Sequence, residues 1–402
     1  MKILLMDFWN VVNSTGGAEK VLCNMANEFV KRGHEICIVC CDPNDGMPFF
    51  YLDNRVKFIN LNASGKYCKG SLKLRAEREI LRFLGKLDKD KLYVKTRYDN
   101  KKVKENLKNI IQEFLPEIII TYDPRSLMCL EYLIKPNVPV IAMLHIPAEN
   151  LFNISISQTL LESFKNVSCI QVLVKRDLQK VEEFCPRVRT VYIPNVVYTI
   201  EKNEFVVKRK LKIVNVGRID GNVKRQLNLI KAFNKIYKDF PSDWCIEIIG
   251  GTKTESQKDY KKKIIEYIKE HNLEGRVNLL GEIKNVSEKL QEADIFAFPS
   301  AFEGMPLALT EAMAAGLPAI GYKSCPSVNE LIVDGVNGFL CEDDINDFAE
   351  KLKILMQDAV LRKKMGQNAR ESMKQFAPEK IWDEWEDLIN KVISDFKKDQ
   401  YK

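Results

Sequence analysis

The chain has 402 residues, 46% of them hydrophobic and 29% charged, with a net charge of +7. That length exceeds what one hydrophobic core usually serves, so two domains are expected. No run approaches the roughly 20 apolar residues that a membrane-spanning helix needs, and the apolar start Met1-Lys2-Ile3-Leu4-Leu5-Met6 stops at Asp7, too short for a signal-peptide core.

The first β-like run is 3–6. It leads through Asn13-Ser14-Thr15-Gly16-Gly17-Ala18-Glu19 into an amphipathic segment, 18–32. The double glycine permits positive φ and close backbone approach to a ligand, and the alternative is a plain strand–helix turn. It lacks both the dinucleotide fingerprint and the phosphate-loop lysine. The next run, 36–39, holds Cys37 and Cys40. Their CxxC spacing lies inside a strand with no second pair, so they read as buried thiols, as do most of the eleven cysteines. That composition points to a reducing compartment.

After the run 56–61 the chain turns basic. Residues 66–108 hold 15 Lys and Arg against 6 Asp and Glu, a local excess of nine. Leu72, Leu74, Ile80, Leu81, Phe83, Leu84 and Leu87 alternate with these charges. The stretch suits an anionic surface, or is simply a solvated helix whose apolar face packs on the domain. Asp88-Lys89-Asp90 has DxD spacing but lies away from any strand end, so metal ligation is not expected there.

A helix is predicted over 103–114, and strands over 118–121, 140–144 and 170–174. His145, one of three histidines, stands where the run 140–144 ends. It is either structural or a site residue. A linker is expected near 195–208. The strand series then restarts at 212–216 and continues at 244–249, 277–280, 295–298 and 318–321, with helices at 225–237, 260–270 and 306–315. Short apolar strands alternating with helices imply parallel sheets covered on both faces. The tail from Pro378 carries Ile381, Trp382, Trp385, Leu388, Ile389, Val392 and Phe396 on one helical stripe, which should pack on a core.

Two turns in the second half carry chemistry. In Gly217-Arg218-Ile219-Asp220-Gly221-Asn222-Val223-Lys224-Arg225, two cations follow a strand end and suit a diphosphate; a basic surface turn is the alternative. In Phe302-Glu303-Gly304-Met305-Pro306-Leu307, a buried strand gives way to a helix whose free amides favour an anion. Glu303 precedes that helix and Glu311 lies in it. Two carboxylates beside an anion site suit a ligand that also carries hydroxyls, as a sugar nucleotide does.

In this order, Gly16-Gly17-Ala18-Glu19, His145, Ile193-Pro194-Asn195, Gly217-Arg218 with Lys224, Ile248-Ile249-Gly250, Leu280-Gly281, the Glu303 and Glu311 pair, and Asp334-Gly335-Val336-Asn337-Gly338-Phe339-Leu340 resemble the retaining GT-B glycosyltransferases of family 4. The style is that of members building bacterial surface polysaccharide, amylovoran-like. The resemblance spans nearly the whole chain. It implies an α/β fold of two facing, doubly wound Rossmann-like domains. The first, 1–198, would bind the acceptor and be completed by a crossover helix, 378–402; the second, 205–377, would bind the nucleotide sugar.

The resemblance also implies roles. Glu303 and His145 would act at the donor sugar, and Glu311 at the ribose. Arg218 and Lys224 would neutralise the departing diphosphate. Gly304, Met305, Pro306 and Leu307 would offer backbone amides, Gly17 would approach the diphosphate, and Ile283 would lie near the base. The turn is one residue longer than the usual form, so Arg225 could stand in for Lys224. No metal and no other cofactor are expected. A UDP-sugar donor, a lipid-linked or polysaccharide acceptor, and a cytoplasmic location, peripheral on the membrane's inner face, follow from the same likeness. The rivals are a noncatalytic subunit of a membrane glycan-assembly complex and a GT-B sugar-nucleotide epimerase. Nucleic acid is not an expected partner, because helix-turn-helix, zinc-finger and RNP-like patterns are absent.

Overall fold

Strands in this protein are four to six residues long, and the central ones are buried on both faces while edge strands are only partly covered. The computed structural model describes residues 1–61, 72–85, 87–99, 101–153, 155–200, 210–240 and 244–400. Its contacts divide the chain into two units, Met1–Pro194 with Trp382–Lys402, and Asn195–Ile381. Residues 201–208 of the expected linker lie outside the described residues.

The first unit is a seven-stranded parallel sheet. Its strands are β1 (Lys2–Asp7), β2 (Glu35–Cys40), β3 (Lys57–Asn60), β4 (Ile118–Thr121), β5 (Val140–Leu144), β6 (Cys169–Val172) and β7 (Arg189–Tyr192). Their spatial order is β3-β2-β1-β4-β5-β6-β7. Ile3 pairs in register with Ile36 on one side and Ile118 on the other. The order reverses between β1 and β4, and at such a switch point the loops at the carboxyl edge part to form a crevice. The helix Gly17–Lys31 buries Leu22, Met25, Ala26, Phe29 and Val30 against this sheet's core.

The second unit has six parallel strands: β8 (Leu211–Val216), β9 (Trp244–Ile249), β10 (Val277–Gly281), β11 (Ile295–Phe298), β12 (Ala319–Tyr322) and β13 (Gly338–Cys341). Their order, β10-β9-β8-β11-β12-β13, puts its switch point between β8 and β11. The helix Glu255–Glu270 starts five residues earlier than its apolar periodicity predicts, because Thr254 and Gln257 form a reciprocal capping box.

The final helix, Pro378–Gln400, belongs to the first unit from Trp382 onward. There the Trp382 ring meets Phe29 edge-on at 5.9 Å, and Arg32 grips Asp383 at 2.7 Å and Glu386 at 2.6 Å. The apolar stripe read from the tail is thus a packing face, with Ile381, Trp382, Trp385, Leu388, Ile389 and Val392 buried.

Strands β7 and β13 escaped the sequence reading: β7 is only partly buried, and β13 is embedded in a glycine-rich turn motif. In that motif Asn337 accepts from the Val333 amide at 2.8 Å and donates to the Leu331 carbonyl at 3.1 Å. The helix predicted over 103–114 is regular only from Asn106 to Phe114, after a wider π-helical turn at Lys101–Glu105. The ten described cysteines are all buried and free. Burial pushes the Cys37 thiol up to about 11, which leaves it no redox poise.

Candidate functional site

At the carboxyl edge of the second sheet, glycines stand at the ends of three neighbouring strands: Gly217 just after β8, Gly250 just after β9 and Gly281 at the end of β10. Gly217 N donates to Ile249 O and Gly250 N to Gly281 O, which ties the three ends together. A β-carbon on Gly250 would overlap the Gly217 carbonyl oxygen, so this approach requires glycine. At Gly217 a β-carbon would sit 3.3 Å from Lys224 Cε.

The turn after β8 is fastened by its own side chains. Asp220 accepts from the Asn222 and Val223 amides, each at 2.9 Å, and from Gln257. Burial pushes its carboxyl up, but the Val223 amide, the Gln257 side chain and the Asn222 amide outweigh that and hold it below the usual range. Gln226 donates to Arg218 O at 2.9 Å. The Ala301 amide donates to Val223 O at 2.7 Å, which brings the turn beside the loop after β11.

There Lys224 Nζ meets Glu303 Oε1 at 2.5 Å, both side chains being less than a fifth exposed, and Nζ also lies 5.1 Å over the Phe298 ring. The adjacent Arg225 has φ +50°, which turns its side chain away to Asp343 at 2.9 Å. The structure thereby separates the two candidate cations: Lys224 stands in the site and Arg225 outside it. Arg218 is exposed and forms no ion pair among the described residues.

The helix Leu307–Ala314 follows, with Pro306 at its N-cap rather than in its first turn. No side chain caps it and its first turn holds no acid, so the positive end of the helix is left for a ligand. Gly304 and Leu307 are half-buried, Met305 and Pro306 buried, and Glu311 half-buried one turn into the helix. Met305 Sδ accepts from the Asn195 amide at 3.1 Å. Ile283 is half-buried just past β10.

The first unit's carboxyl edge is built differently. Gly16 has φ −76° and Gly17 is the first helical residue, so the double glycine does not serve a positive φ. Its reason is steric: a β-carbon on Gly16 would overlap the carboxylate of the buried Glu19, which folds back to accept from Ser14 Oγ at 2.8 Å. His145 follows β5 and stacks on Tyr122, with ring centroids 5.2 Å apart. Its Nε2 is sealed from solvent without a hydrogen-bond partner among the described residues, and burial lowers its pKa to about 4. Asp7 and Asp123, at the ends of β1 and β4, are both buried. Burial first, and the Asp123 charge second, hold the Asp7 carboxyl well above its usual range.

Residues 15–200 match the model of Glycosyltransferase Family 4, and residues 198–372 match that of glycosyl transferases group 1. The chain is a glycosyltransferase with a family 4 domain followed by a group 1 domain. Over 383 residues it is 26% identical to the GalNAc-α-(1→4)-GalNAc-α-(1→3)-diNAcBac-PP-undecaprenol α-1,4-N-acetyl-D-galactosaminyltransferase of Campylobacter jejuni, covering 94% of this chain and 96% of that one. It is 27% identical over 191 residues to the amylovoran biosynthesis glycosyltransferase AmsD of Erwinia amylovora, 47% of this chain and 50% of that one. A solved structure of a TarM mutant from S. aureus, in complex with fondaparinux, α-GlcNAc-glycerol and UDP, superposes with a TM-score of 0.72 at 19% identity, covering 97% of this chain and 99% of that one. The fold is GT-B.

Among the described residues of this glycosyltransferase, no group of three or more His, Cys, Asp or Glu could hold a metal ion. The DxD-like pair is spent on structure. Asp88 caps the helix Lys89–Arg97 through the Asp90 and Lys91 amides, and Asp90 accepts from Ser157 Oγ at 2.5 Å. No helix among the described residues is long and apolar enough to cross a membrane.

Sequence reasoning missed the Asp220, Gln226 and Gln257 clasp, whose signal was an Asp and two Gln flanking a cationic turn. It also passed over Trp9 and Arg125, at the ends of β1 and β4, where polar or aromatic residues at a switch point were the available cue.

Proposed function

We propose that this glycosyltransferase moves a sugar from a UDP-sugar to a lipid-linked or polysaccharide glycan in bacterial surface glycan synthesis, with retention of anomeric configuration. The observation that carries the reading is the Lys224 to Glu303 pair beside the uncapped start of the helix Leu307–Ala314, with Arg218 open next to it.

In this reaction the bond between the anomeric carbon and the diphosphate breaks, and one to the acceptor oxygen forms on the same face. Charge grows on the leaving diphosphate. Arg218, Lys224 and the amides at the start of the helix meet it with groups already in place. Glu303 and Glu311 accept hydrogen bonds from the sugar and the ribose, and Ile283 lies by the base. His145 is neutral at ordinary pH, so it serves as a hydrogen-bonding group and not as a charge. No step needs a metal ion. UDP is favoured by the nucleotide in the TarM complex, and a lipid-linked acceptor by the undecaprenol in the Campylobacter relative's name. Glu303 in the donor loop and Glu311 in the following helix are both present, which does not favour a noncatalytic subunit.

Such an acceptor places the enzyme at a membrane. Residues 66–71, 86 and 100 of the basic stretch, with the side chains of Leu72, Leu74, Lys73, Arg75 and Lys101, lie outside the described residues. On the helix Leu72–Phe83 and just beyond it, Ile80, Phe83 and Leu84 are 59%, 92% and 56% exposed beside Arg78 and Arg82. Apolar side chains standing in solvent among cations fit an anionic lipid surface. Cosedimentation with anionic vesicles at low salt, weakening as salt rises, supports this docking; equal binding to neutral vesicles contradicts it.

The test of the reaction is turnover of UDP-glucose, UDP-GlcNAc, UDP-GalNAc and GDP-mannose, with and without EDTA. Release of UDP from a UDP-sugar, unaffected by EDTA, with an α-configured product by NMR, is the expected result. No turnover of any UDP-sugar, an inverted product, or EDTA inhibition reversed by manganese would overturn the corresponding part.

A further inference from the structure

The first unit carries a second built surface, at the switch point between β1 and β4. Trp9 is half exposed, whereas the other three tryptophans, Trp244, Trp382 and Trp385, are buried. The Arg125 guanidinium lies 4.0 Å from the Trp9 ring centroid and 5.4 Å from that of Tyr93. Arg125 makes no ion pair with a carboxylate among the described residues, so its fork of donors is not spent.

The backbone beneath is pinned. Phe8 N donates to Asp123 Oδ2 at 2.7 Å and Trp9 N to Asp7 Oδ1 at 2.8 Å. Arg125 N donates to Asp123 Oδ1 at 2.8 Å. Two buried carboxylates thus fix the loops that present the indole and the guanidinium. Burying two carboxyl groups at one sheet edge costs stability and raises both above their usual range, and here it orders a surface otherwise open to solvent. Tyr51, Phe49 and Met47 from the loop after β2, and Ile146 after β5, are also exposed at this edge.

We propose that Trp9 and Arg125 form a subsite for a pyranose that bears an oxyanion, the indole stacking on the sugar ring and the guanidinium pairing with a phosphate or carboxylate. Arg is the side chain suited to this, because it stacks on an aromatic face while its edge binds an oxyanion through two donors. The subsite extends the proposed glycosyl transfer by giving the acceptor a sugar-anion handle, and it rests on that reading. The anion has two sources, a phosphate joining sugar to lipid or a uronic acid within a polysaccharide.

Trp9 is its own reporter, since it is the tryptophan in contact with solvent. With the full chain saturated in UDP, tryptophan emission is titrated with α-glucose 1-phosphate, glucuronic acid, glucose and inorganic phosphate. A saturable change with one of the two anionic sugars is expected, its identity naming the source of the anion. Affinity should fall about tenfold for glucose, for inorganic phosphate and in Arg125→Ala. Arg125→Lys should recover only part, because it keeps the charge and loses the fork. No saturable change with either anionic sugar, equal affinity for inorganic phosphate, or an unaltered response in Arg125→Ala overturns the subsite. The result is separable from the donor chemistry: Glu303→Gln should keep the emission change while losing turnover, and a wild-type chain that turns over no UDP-sugar would remove the transfer reading without touching the emission result.

Discussion

The two sheet edges share an architecture and differ in how they treat charge. In the second unit, opposite charges are brought together at Lys224 and Glu303, a neighbouring cation is led away to Asp343, and Arg218 is left open. In the first, two carboxyls, Asp7 and Asp123, are buried and held above their usual range, a histidine is held neutral, and an aromatic surface faces solvent. A parallel sheet supplies a crevice but no chemistry; the loop residues decide whether it suits a leaving diphosphate or a sugar ring.

Glu303→Gln should break the second unit's edge most sharply. It keeps shape and hydrogen bonding to Lys224 but loses the carboxylate, so kcat should fall a hundred- to a thousandfold, about 3–4 kcal/mol of barrier, with the melting temperature little changed. A loss under tenfold would remove Glu303 from the reaction.

The neutral histidine sets a pH signature for the first unit. Its pKa is about 4 folded and 6.5 in the unfolded chain, so between those values the unfolded chain binds more protons. Stability therefore falls as pH drops through that window, with about 2–3 kcal/mol attributable to this group. Urea denaturation at pH 7 and pH 4.5 should show a smaller acid loss for His145→Gln than for the wild type; equal losses would contradict the burial.

Gly250→Ala should cost about 2 kcal/mol and weaken UDP binding as well, because the added carbon meets the Gly217 carbonyl next to Arg218. Calorimetry showing normal UDP affinity in this variant would uncouple the glycine contact from the site. At the small end, Phe83→Glu should shift stability by less than about 0.5 kcal/mol, since the side chain is 92% exposed, while lowering vesicle binding.

Strands such as β1 and β11 were legible because each is a continuous apolar run, and the order of turns revealed the two-unit plan. β13 was not, because Gly338 begins it for a packing reason: a side chain there would strike the Ala319 carbonyl. At the donor loop, the sequence placed Glu303 and Arg218 at strand ends but left Lys224 and Arg225 unresolved. That choice depends on one left-handed residue and on a partner 79 positions away, and neither leaves a periodic trace. The double glycine misled for a related reason. Its cause is the Glu19 side chain folded over Gly16, a contact and not a backbone angle.

Arg218 and Arg225 offer the most direct test of the central claim, that the turn after β8 receives the leaving diphosphate. They are seven positions apart in one turn and carry the same charge, but among the described residues only Arg225 is held by a carboxylate. UDP binding by calorimetry should weaken about tenfold or more in Arg218→Ala, the loss expected of a charge-assisted contact, and change less than about threefold in Arg225→Ala. Unchanged affinity in Arg218→Ala, or an equal loss in both variants, would contradict the account.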